Sequence, residues 1–153
     1  MAQAAIQKEI VSGKLYAIRN KKSGLYLDVE AYSKKNGAKI HQWNWHGADN
    51  QLFYLNKMKY GWQIKNKGSG KVADIEGYST NNGAKCHQWE WHGANNQLFE
   101  FVKLDDATYR INIVHDKSKC LDVSEYSTKP GAKIHQWQWH GGDNQRFYLE
   151  RKN

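Results

Sequence analysis

The stretch Gly37-Ala-Lys-Ile-His-Gln-Trp-Asn-Trp-His-Gly-Ala-Asp-Asn-Gln-Leu-Phe53 returns twice in this chain, at 83–99 and at 131–147. Twelve of its seventeen positions are identical in all three copies, and equivalent residues lie 46 and then 48 positions apart. Self-similarity at a fixed period of this length is the sequence signature of a repeat architecture. The copies therefore predict a fold that is built from three similar units.

Each unit contains short segments in which apolar and polar residues alternate, separated by Gly, Asn and Ser. In the first unit these segments are 15–20, 26–30, 40–45 and 53–56. Such segments at regular spacing indicate an all-β chain made of hairpins. Three copies are too few for a propeller, which needs about four or more blades to close. We therefore predict a β-trefoil of about twelve strands, a closed barrel with pseudo-three-fold symmetry that is capped by hairpins.

The length of 153 residues suits one domain with one hydrophobic core. We predict a single domain at 15–153, divided into repeats 15–60, 61–107 and 108–153, after an N-terminal leader segment at 1–14 that we expect to be a frayed tail. Apolar residues that recur at equivalent places define the expected core: Ile18, Leu27, Val29, Ile40, Phe53, Ile64, Ala73, Ile75, Cys86, Phe99, Ile111, Leu121, Val123, Ile134 and Phe147.

Composition restricts the partners and the compartment. The formal net charge is +8, but the Lys and Arg residues are scattered, which leaves open a solvated basic surface and a dedicated anion site. No apolar run is long enough for membrane insertion. No secretory signal is recognisable, so we expect a protein that is cytoplasmic or secreted without a signal peptide. Cys86 and Cys120 occupy non-equivalent positions, so we expect buried thiols and no disulfide.

The repeated window is mostly polar and aromatic, which indicates a binding constraint beyond folding. Asp28, Asp74 and Asp122 precede His41, His87 and His135 by thirteen residues in every copy. Unless a bulge intervenes, strand alternation over 40–45 predicts His41, Trp43 and Trp45 on one face and Ile40, Gln42 and Asn44 on the other. An exposed indole beside Asp, His and Asn offers a sugar both a stacking face and hydrogen-bonding groups. For the second Trp of each copy, core and surface positions both stay open: Trp45, Trp91 and Trp139.

These residues resemble the ricin B-type, or R-type, β-trefoil lectins over nearly the whole chain from Leu15. The shared motifs are the Leu27-Asp28-Val29 triplet with its copies, Gly37 with its copies, and the Asn-Gln-x-aromatic ends that begin at Asn50, Asn96 and Asn144. The resemblance implies a trivalent lectin for glycans that carry galactose or N-acetylgalactosamine, with no catalysis, no metal and no cofactor. A homo-oligomer is compatible with it.

The resemblance also implies a role for each repeated residue. The Asp would accept hydrogen bonds from sugar hydroxyls, the first Trp would stack on the sugar, the Asn would bind a hydroxyl, and the Gln after it would support the Asp. The carbohydrate-binding set is Asp28, His41, Trp43, Asn50, Gln51, Asp74, His87, Trp89, Asn96, Gln97, Asp122, His135, Trp137, Asn144 and Gln145.

Three positions depart from the family pattern. Phe53, Phe99 and Phe147 stand where the family has Trp, and we expect them to fill the core instead. His41 and its copies stand where the family has a sugar-contacting Gln, and the neighbouring Gln42, Gln88 and Gln136 would replace them if the register shifted. The family often has a disulfide where this chain has Tyr26 with Trp45, Val72 with Trp91, and Cys120 with Trp139, so we expect apolar packing there.

Other functions fit the sequence less well. A zinc site using His41 and His46 lacks further ligands at a suitable spacing. An enzyme lacks a nucleophile beside the His and lacks a second invariant carboxylate for glycoside hydrolysis. The main alternative is a basic trefoil that binds nucleic acid or a sulfated polyanion, although an Asp beside every aromatic platform would repel phosphate. The remaining alternative is a structural trefoil, in which Trp43 would contribute stability instead of binding.

Overall fold

The computed structural model describes residues 9–153, and these form an all-β domain. Its twelve strands appear in groups of four, one group for each predicted repeat. The strands are β1 (Lys14–Asn20), β2 (Tyr26–Val29), β3 (Ile40–Trp43), β4 (Phe53–Lys57), β5 (Trp62–Asn66), β6 (Val72–Ile75), β7 (Cys86–Trp89), β8 (Phe99–Lys103), β9 (Tyr109–Ile113), β10 (Asp116–Val123), β11 (Ile134–Gln138) and β12 (Phe147–Arg151). Each repeat also contains two three-residue 3-10 turns, which the sequence pattern did not predict.

Six of the strands close into a barrel. Strand β1 pairs with β12 and β4, β5 pairs with β4 and β8, and β9 pairs with β8 and β12, all antiparallel. The remaining strands form the hairpins β2–β3, β6–β7 and β10–β11, which extend from the barrel. A closed six-stranded barrel with three outer hairpins confirms the predicted β-trefoil.

The core follows the predicted repeat positions. Every apolar residue expected in the core is buried in one cluster, which Tyr16, Leu55 and Ile113 complete. Phe53, Phe99 and Phe147 are fully buried, so the smaller aromatic fills the barrel as expected. Cys86 and Cys120 are free, and burial raises the pKa of each thiol to about 12. Both thiols therefore stay protonated at neutral pH and pack as small apolar groups.

A buried glutamine joins each repeat to a neighbouring repeat. Gln88 on β7 is fully buried, and its Nε2 donates to the carbonyl oxygens of Ser33 and Lys35 in repeat 1 at 2.9 Å each. Its main chain accepts from the Gly37 N–H at 2.8 Å. Gln136 makes the same contacts to repeat 2, and Gln42 makes them to repeat 3. The three contacts form a closed ring of inter-repeat hydrogen bonds, which we call the glutamine clasps.

Only part of the predicted leader lies within the described residues. Residues 1–8 lie outside them, so the expectation of a frayed tail is not tested there. Within 9–14, Ile10 packs against the core, and the Val11 N–H donates to the Tyr16 hydroxyl at 2.9 Å. The Gly13 N–H donates to the Leu55 carbonyl at 2.9 Å. This part of the leader is therefore attached to the barrel.

Across residues 9–153, no helix has the length and apolar character that crossing a membrane requires.

The glutamine clasps lead to a stability prediction. Gln88→Leu keeps the approximate side-chain size but leaves the Ser33 and Lys35 carbonyls without their buried donor, so we expect a loss of about 1–3 kcal/mol in the free energy of unfolding. Urea denaturation measures it. Gln138→Leu is the control, because this glutamine is exposed on β11 and its replacement should change stability by less than about 0.5 kcal/mol. Equal losses in the two variants would contradict the clasp.

Candidate functional site

A buried carboxylate forms the floor of the candidate site in each repeat. Asp28 on β2 lies directly opposite His41 on β3 in the hairpin, and only 3 % of its surface is exposed. The His41 Nε2 atom is 2.8 Å from Asp28 Oδ1, and Gln51 Nε2 donates to Asp28 Oδ2 at 2.9 Å. The equivalent His–Asp and Gln–Asp distances are 2.9 and 2.8 Å in repeat 2 and 2.7 and 2.8 Å in repeat 3. Both carboxylate oxygens are thus held in fixed directions.

The same glutamine also holds the loop that follows the third strand. Gln51 Nε2 donates to the Asn44 carbonyl at 2.7 Å, and its Oε1 accepts from the His46 and Gly47 N–H groups at 2.9 and 3.2 Å. All its hydrogen-bonding capacity is therefore used inside the protein. Gln51 is fully buried, as are Gln97 and Gln145, so these residues position the carboxylate and do not face a ligand.

A second histidine completes the floor. The Ala48 N–H donates to His46 Nδ1 at 3.1 Å, which requires the neutral ring to carry its proton on Nε2. That Nε2 lies 3.4 Å from Asp28 Oδ2. His92 and His140 repeat both contacts, with Nε2 to carboxylate distances of 3.6 and 3.7 Å. The sequence pattern suggests no role for these histidines other than that of a metal ligand, and in 9–153 no group of three His, Cys, Asp or Glu could hold a metal ion.

The aromatic wall of each site is the first tryptophan of the repeated window. Trp43, Trp89 and Trp137 are 40, 37 and 39 % exposed. The Trp43 ring is stacked on His41 with a centroid distance of 5.3 Å and an interplanar angle of 15°. Trp89 and Trp137 stack on their own histidines at 5.6 and 5.4 Å. Each indole is therefore held in place and still presents surface to solvent.

A glycine of another repeat lies behind each indole. A Cβ atom on Gly131 would be 3.7 Å from Cζ3 of Trp43, and Gly37 and Gly83 have the same relation to Trp89 and Trp137 at 3.8 Å. These glycines also have φ values of +91°, +85° and +92°, which disfavour other residues. The invariant glycine of the window thus lies beside the indole of a neighbouring site.

A tyrosine that the sequence analysis missed forms the opposite rim. Tyr32 is exposed, and its ring stacks on His46 at a centroid distance of 5.7 Å. Its backbone has φ +55°, and the preceding Ala31 has φ +56°. Two consecutive positive φ values recur in the other repeats, with Gly77 first in repeat 2 and Glu125 first in repeat 3. The signal was present in the sequence, since a Tyr-Ser pair starts four residues after each Asp, at Tyr32, Tyr78 and Tyr126.

The asparagine of each site makes one hydrogen bond inside the protein. Asn50 is buried, and its Nδ2 donates to the Val29 carbonyl at 3.1 Å, so this amide N–H is already used. Its Oδ1 is a buried acceptor without a partner among the described residues, and the same holds for Asn96 and Asn144. The amide therefore holds the end of β2 and keeps one unused acceptor beside the site.

The sites of repeats 2 and 3 each open into a shallow cavity. The repeat-3 cavity has a volume of about 520 Å³ and is lined by Asp122, Tyr126, His135, Trp137, His140 and Asn144, together with Gly83, Ser124, Glu125 and Lys133. The repeat-2 cavity has about 390 Å³ and is lined by Asp74, Tyr78, His87, Trp89, His92 and Asn96, together with Glu76 and Gly77. In repeat 1 the equivalent residues make the same contacts around Asp28.

Two expectations about the third strand need correction. The strand ends at Trp43 in repeat 1, so Trp45 does not share the face of His41 and Trp43; it is half-exposed and packs on Tyr26 at 4.6 Å between ring centroids. Trp91 is also half-exposed, and Trp139 lies between Arg110 and Arg146. The alternative contact through Gln42 is wrong, because this side chain is fully buried in a glutamine clasp.

The chain was compared with known proteins. A model of the ricin-type β-trefoil lectin domain-like family matches residues 6–89, 50–137 and 95–153. No curated protein sequence matches the chain. Among solved structures, the designed three-fold symmetric protein ThreeFoil is 36 % identical with a TM-score of 0.86, over 89 % of this chain and 97 % of that one.

Two natural proteins show the same fold. An exo-β-1,3-galactanase from Clostridium thermocellum is 34 % identical with a TM-score of 0.88, over 95 % of this chain and 32 % of the enzyme, so this chain spans about a third of that protein. A ricin B-like lectin from Macrolepiota procera, solved in complex with lactose, is 24 % identical with a TM-score of 0.83, over 95 % of this chain and all of that one. Because the family model matches all three repeats, the chain belongs to the ricin-type β-trefoil lectin domain-like family.

Proposed function

We propose that this chain is a non-catalytic lectin with three pockets, each of which binds one galactose or N-acetylgalactosamine residue of a glycan. The observation that carries the proposal is the fixed, partly exposed indole beside a buried carboxylate, present three times. Trp43 presents surface to solvent while Asp28 is held below it by His41 and Gln51. A sugar needs both features, because it has an apolar C–H face and adjacent hydroxyl groups that must find acceptors.

The preference for galactose-type sugars rests on the site chemistry and on the relatives. An ionised carboxylate with two fixed oxygens can accept from two adjacent hydroxyls, and charge-assisted hydrogen bonds of this kind are the strong ones. The unpartnered Oδ1 of Asn50 adds an unused acceptor next to it. The lectin from Macrolepiota procera was solved with lactose, and an earthworm R-type lectin domain of 24 % identity was solved with N-acetylgalactosamine.

The site favours binding over catalysis. The two oxygens of the Asp28 carboxylate are held by His41 and Gln51, so this group is fixed as a buried acceptor that suits the binding of a hydroxyl. Hydrolysis of a glycoside requires one carboxyl group that can donate a proton and another that remains ionised. The enzymatic activity of the galactanase is not transferred, because this chain spans only about a third of that protein.

Binding of nucleic acid or of a sulfated polyanion is the second candidate, supported by the net charge of +8. The pockets oppose it, because a buried carboxylate lies beside each exposed indole and would repel a phosphate stacked there. Free lactose should release this chain from a glycan surface, whereas rising salt would release a polyanion binder much more strongly.

Each pocket is shallow and should bind weakly alone. Millimolar dissociation constants correspond to about −4 kcal/mol per site. Simultaneous binding of a glycan-covered surface by three pockets can raise the apparent affinity by about 10² to 10⁴. Agglutination or recognition of a surface is therefore the proposed outcome.

Removing the carboxylates tests the site. The triple change of Asp28, Asp74 and Asp122→Asn should abolish binding to a lactose-coated sensor surface, because the ionised acceptor is lost from every pocket. Each single change should remove one of three sites in a titration followed by NMR. Asp49→Asn is the control, since Asp49 is exposed and contacts only Lys67 among the ion pairs of the described residues. Full binding by the triple variant, with its fold intact by circular dichroism, would refute the assignment.

The two tryptophans of each window allow a matched comparison. Replacing Trp43, Trp89 and Trp137 by Ala should reduce lactose binding by at least about fivefold, because a stacked aromatic contact contributes about 1–3 kcal/mol in comparable ring stacking. Trp45, Trp91 and Trp139→Ala should keep binding, although Trp91 is as exposed as Trp89, at 38 and 37 %. Reduced stability with unchanged binding in the first set would support a purely structural trefoil.

The second histidine leads to a further prediction. His46 Nε2 lies 3.4 Å from Asp28 Oδ2, and the His46 ring stacks on Tyr32. The triple change of His46, His92 and His140→Phe keeps an aromatic ring but removes the nitrogen beside each carboxylate, so lactose binding should weaken. Surface plasmon resonance measures it, and unchanged binding would contradict a role of these histidines in the site.

A further inference from the structure

Three equivalent lysines line one small cavity where the repeats meet. This axial cavity has a volume of about 100 Å³ and is lined by Lys39, Lys85 and Lys133, with Cys86 and Ile134 among its other residues. The lysines are the invariant third residue of the repeated window. Lys39 Nζ donates to the Gly131 carbonyl at 3.3 Å, across a repeat boundary. The fold thus gathers three positive charges that are far apart in the sequence.

The positive charge of these lysines is not neutralised locally. Among the ion pairs of residues 9–153, none joins Lys39, Lys85 or Lys133 to a carboxylate. One acidic residue, Glu76, lines the axial cavity. The lining of the axial cavity therefore combines three lysines with one glutamate.

Lys133 differs from the other two lysines in its neighbour. The N–H groups of Glu30 and Glu76 donate to the carbonyls of Lys39 and Lys85, which places a glutamate opposite each of these lysines. In repeat 3 the equivalent residue is Ser124, whose N–H donates to the Lys133 carbonyl at 3.0 Å. Directly opposite residues of antiparallel strands are close neighbours, so the serine removes the nearest negative charge from Lys133.

Lys133 also connects two cavities. It lines the axial cavity and the repeat-3 pocket, whereas no lysine lines the repeat-2 pocket. Glu125 lies on the exposed rim of the repeat-3 pocket, but it forms no ion pair with Lys133 among the described residues. A ligand in the repeat-3 pocket can thus reach a cationic wall that the repeat-2 pocket lacks.

We propose that Lys133, with Lys39 and Lys85 behind it, forms a subsite of the repeat-3 pocket for a sulfate ester carried by a galactose-type sugar. The inference rests on the proposed function. The Asp122 carboxylate would accept from the neutral hydroxyls of the sugar, while the sulfate group points away from Asp122 towards Lys133. The pockets of repeats 2 and 3 then share one sugar-binding mechanism but differ in ligand, because a lysine lines the repeat-3 pocket and none lines the repeat-2 pocket.

Titrations by NMR test the subsite, with the indole N–H signals of Trp137 and Trp89 reporting on the repeat-3 and repeat-2 pockets. Lactose is compared with lactose sulfated at the 3′ or 6′ position. We expect one sulfated form to bind the repeat-3 pocket about three- to tenfold more tightly than lactose at low salt, and the ratio to fall as salt rises. The repeat-2 pocket should show no such gain. Equal ratios in the two pockets would overturn the proposal.

Two variants separate the subsite from general basic charge. Lys133→Gln should bring the ratio of sulfated to neutral affinity at the repeat-3 pocket close to one, and Ser124→Glu should do the same while keeping the lysine. Lys103→Gln is the charge-matched control, since Lys103 lines a separate groove with Trp62 and Phe101, and it should keep the ratio. A ratio unchanged in Lys133→Gln would overturn the subsite.

Two further results have separate meanings. If neither lactose nor its sulfated forms shift any indole signal, the proposed function fails and the subsite fails with it. If lactose binds and sulfation gives no gain, only the subsite fails. Inorganic sulfate at the same concentration should compete only weakly with sulfated lactose. Full competition by inorganic sulfate would overturn the glycan part of the proposal in favour of a free anion.

Discussion

The burial of one carboxylate in each repeat is the constraint on which both the fold and the site depend. A charged group that leaves water must be hydrogen-bonded, and here the partners come from three places along the chain. His41 contacts the carboxylate from the facing strand, and Gln51 donates to it from the 3-10 turn. The Oε1 atom of this glutamine also accepts from the His46 N–H and so fixes the loop that carries His46. The hydrogen bonds that compensate the burial of Asp28 thus fix the strands and the loop at this end of the hairpin. The remaining lone pairs of the carboxylate are available to a ligand.

Packing between repeats adds the second layer of order. A single repeat has four short strands and cannot bury its own apolar face, so the barrel forms only when three repeats combine. Each glutamine clasp holds the main chain of a loop in another repeat, as Gln88 holds the loop at Ser33. That loop ends at Gly37, which lies beside Trp89, the residue after the glutamine. This explains why the window keeps Gly, Gln and Trp together: the glycine and the glutamine fix the position of the tryptophan, although neither faces a ligand.

Most of the fold could be predicted from the sequence, because an apolar position that recurs in three copies is recognised even where one copy departs from the pattern. The strands, the β-trefoil and every expected core position follow from alternation and recurrence. The site was harder. Trp45 was expected on the ligand face because alternation was extended past Trp43, where the strand ends. Tyr32 was missed because its position depends on two consecutive residues with positive φ, which no propensity indicates for Ala and Tyr. Invariance alone did not separate Gln42, a buried structural donor, from the pocket residues.

Each tryptophan platform rests on a glycine that belongs to another repeat: Trp43 on Gly131, Trp89 on Gly37 and Trp137 on Gly83. The indole of each pocket is therefore positioned at a seam between two repeats, while the residues that line the repeat-2 pocket all come from repeat 2. The three repeats cannot diverge independently, because a change of loop conformation around the glycine of one repeat would shift the indole in the pocket of its neighbour.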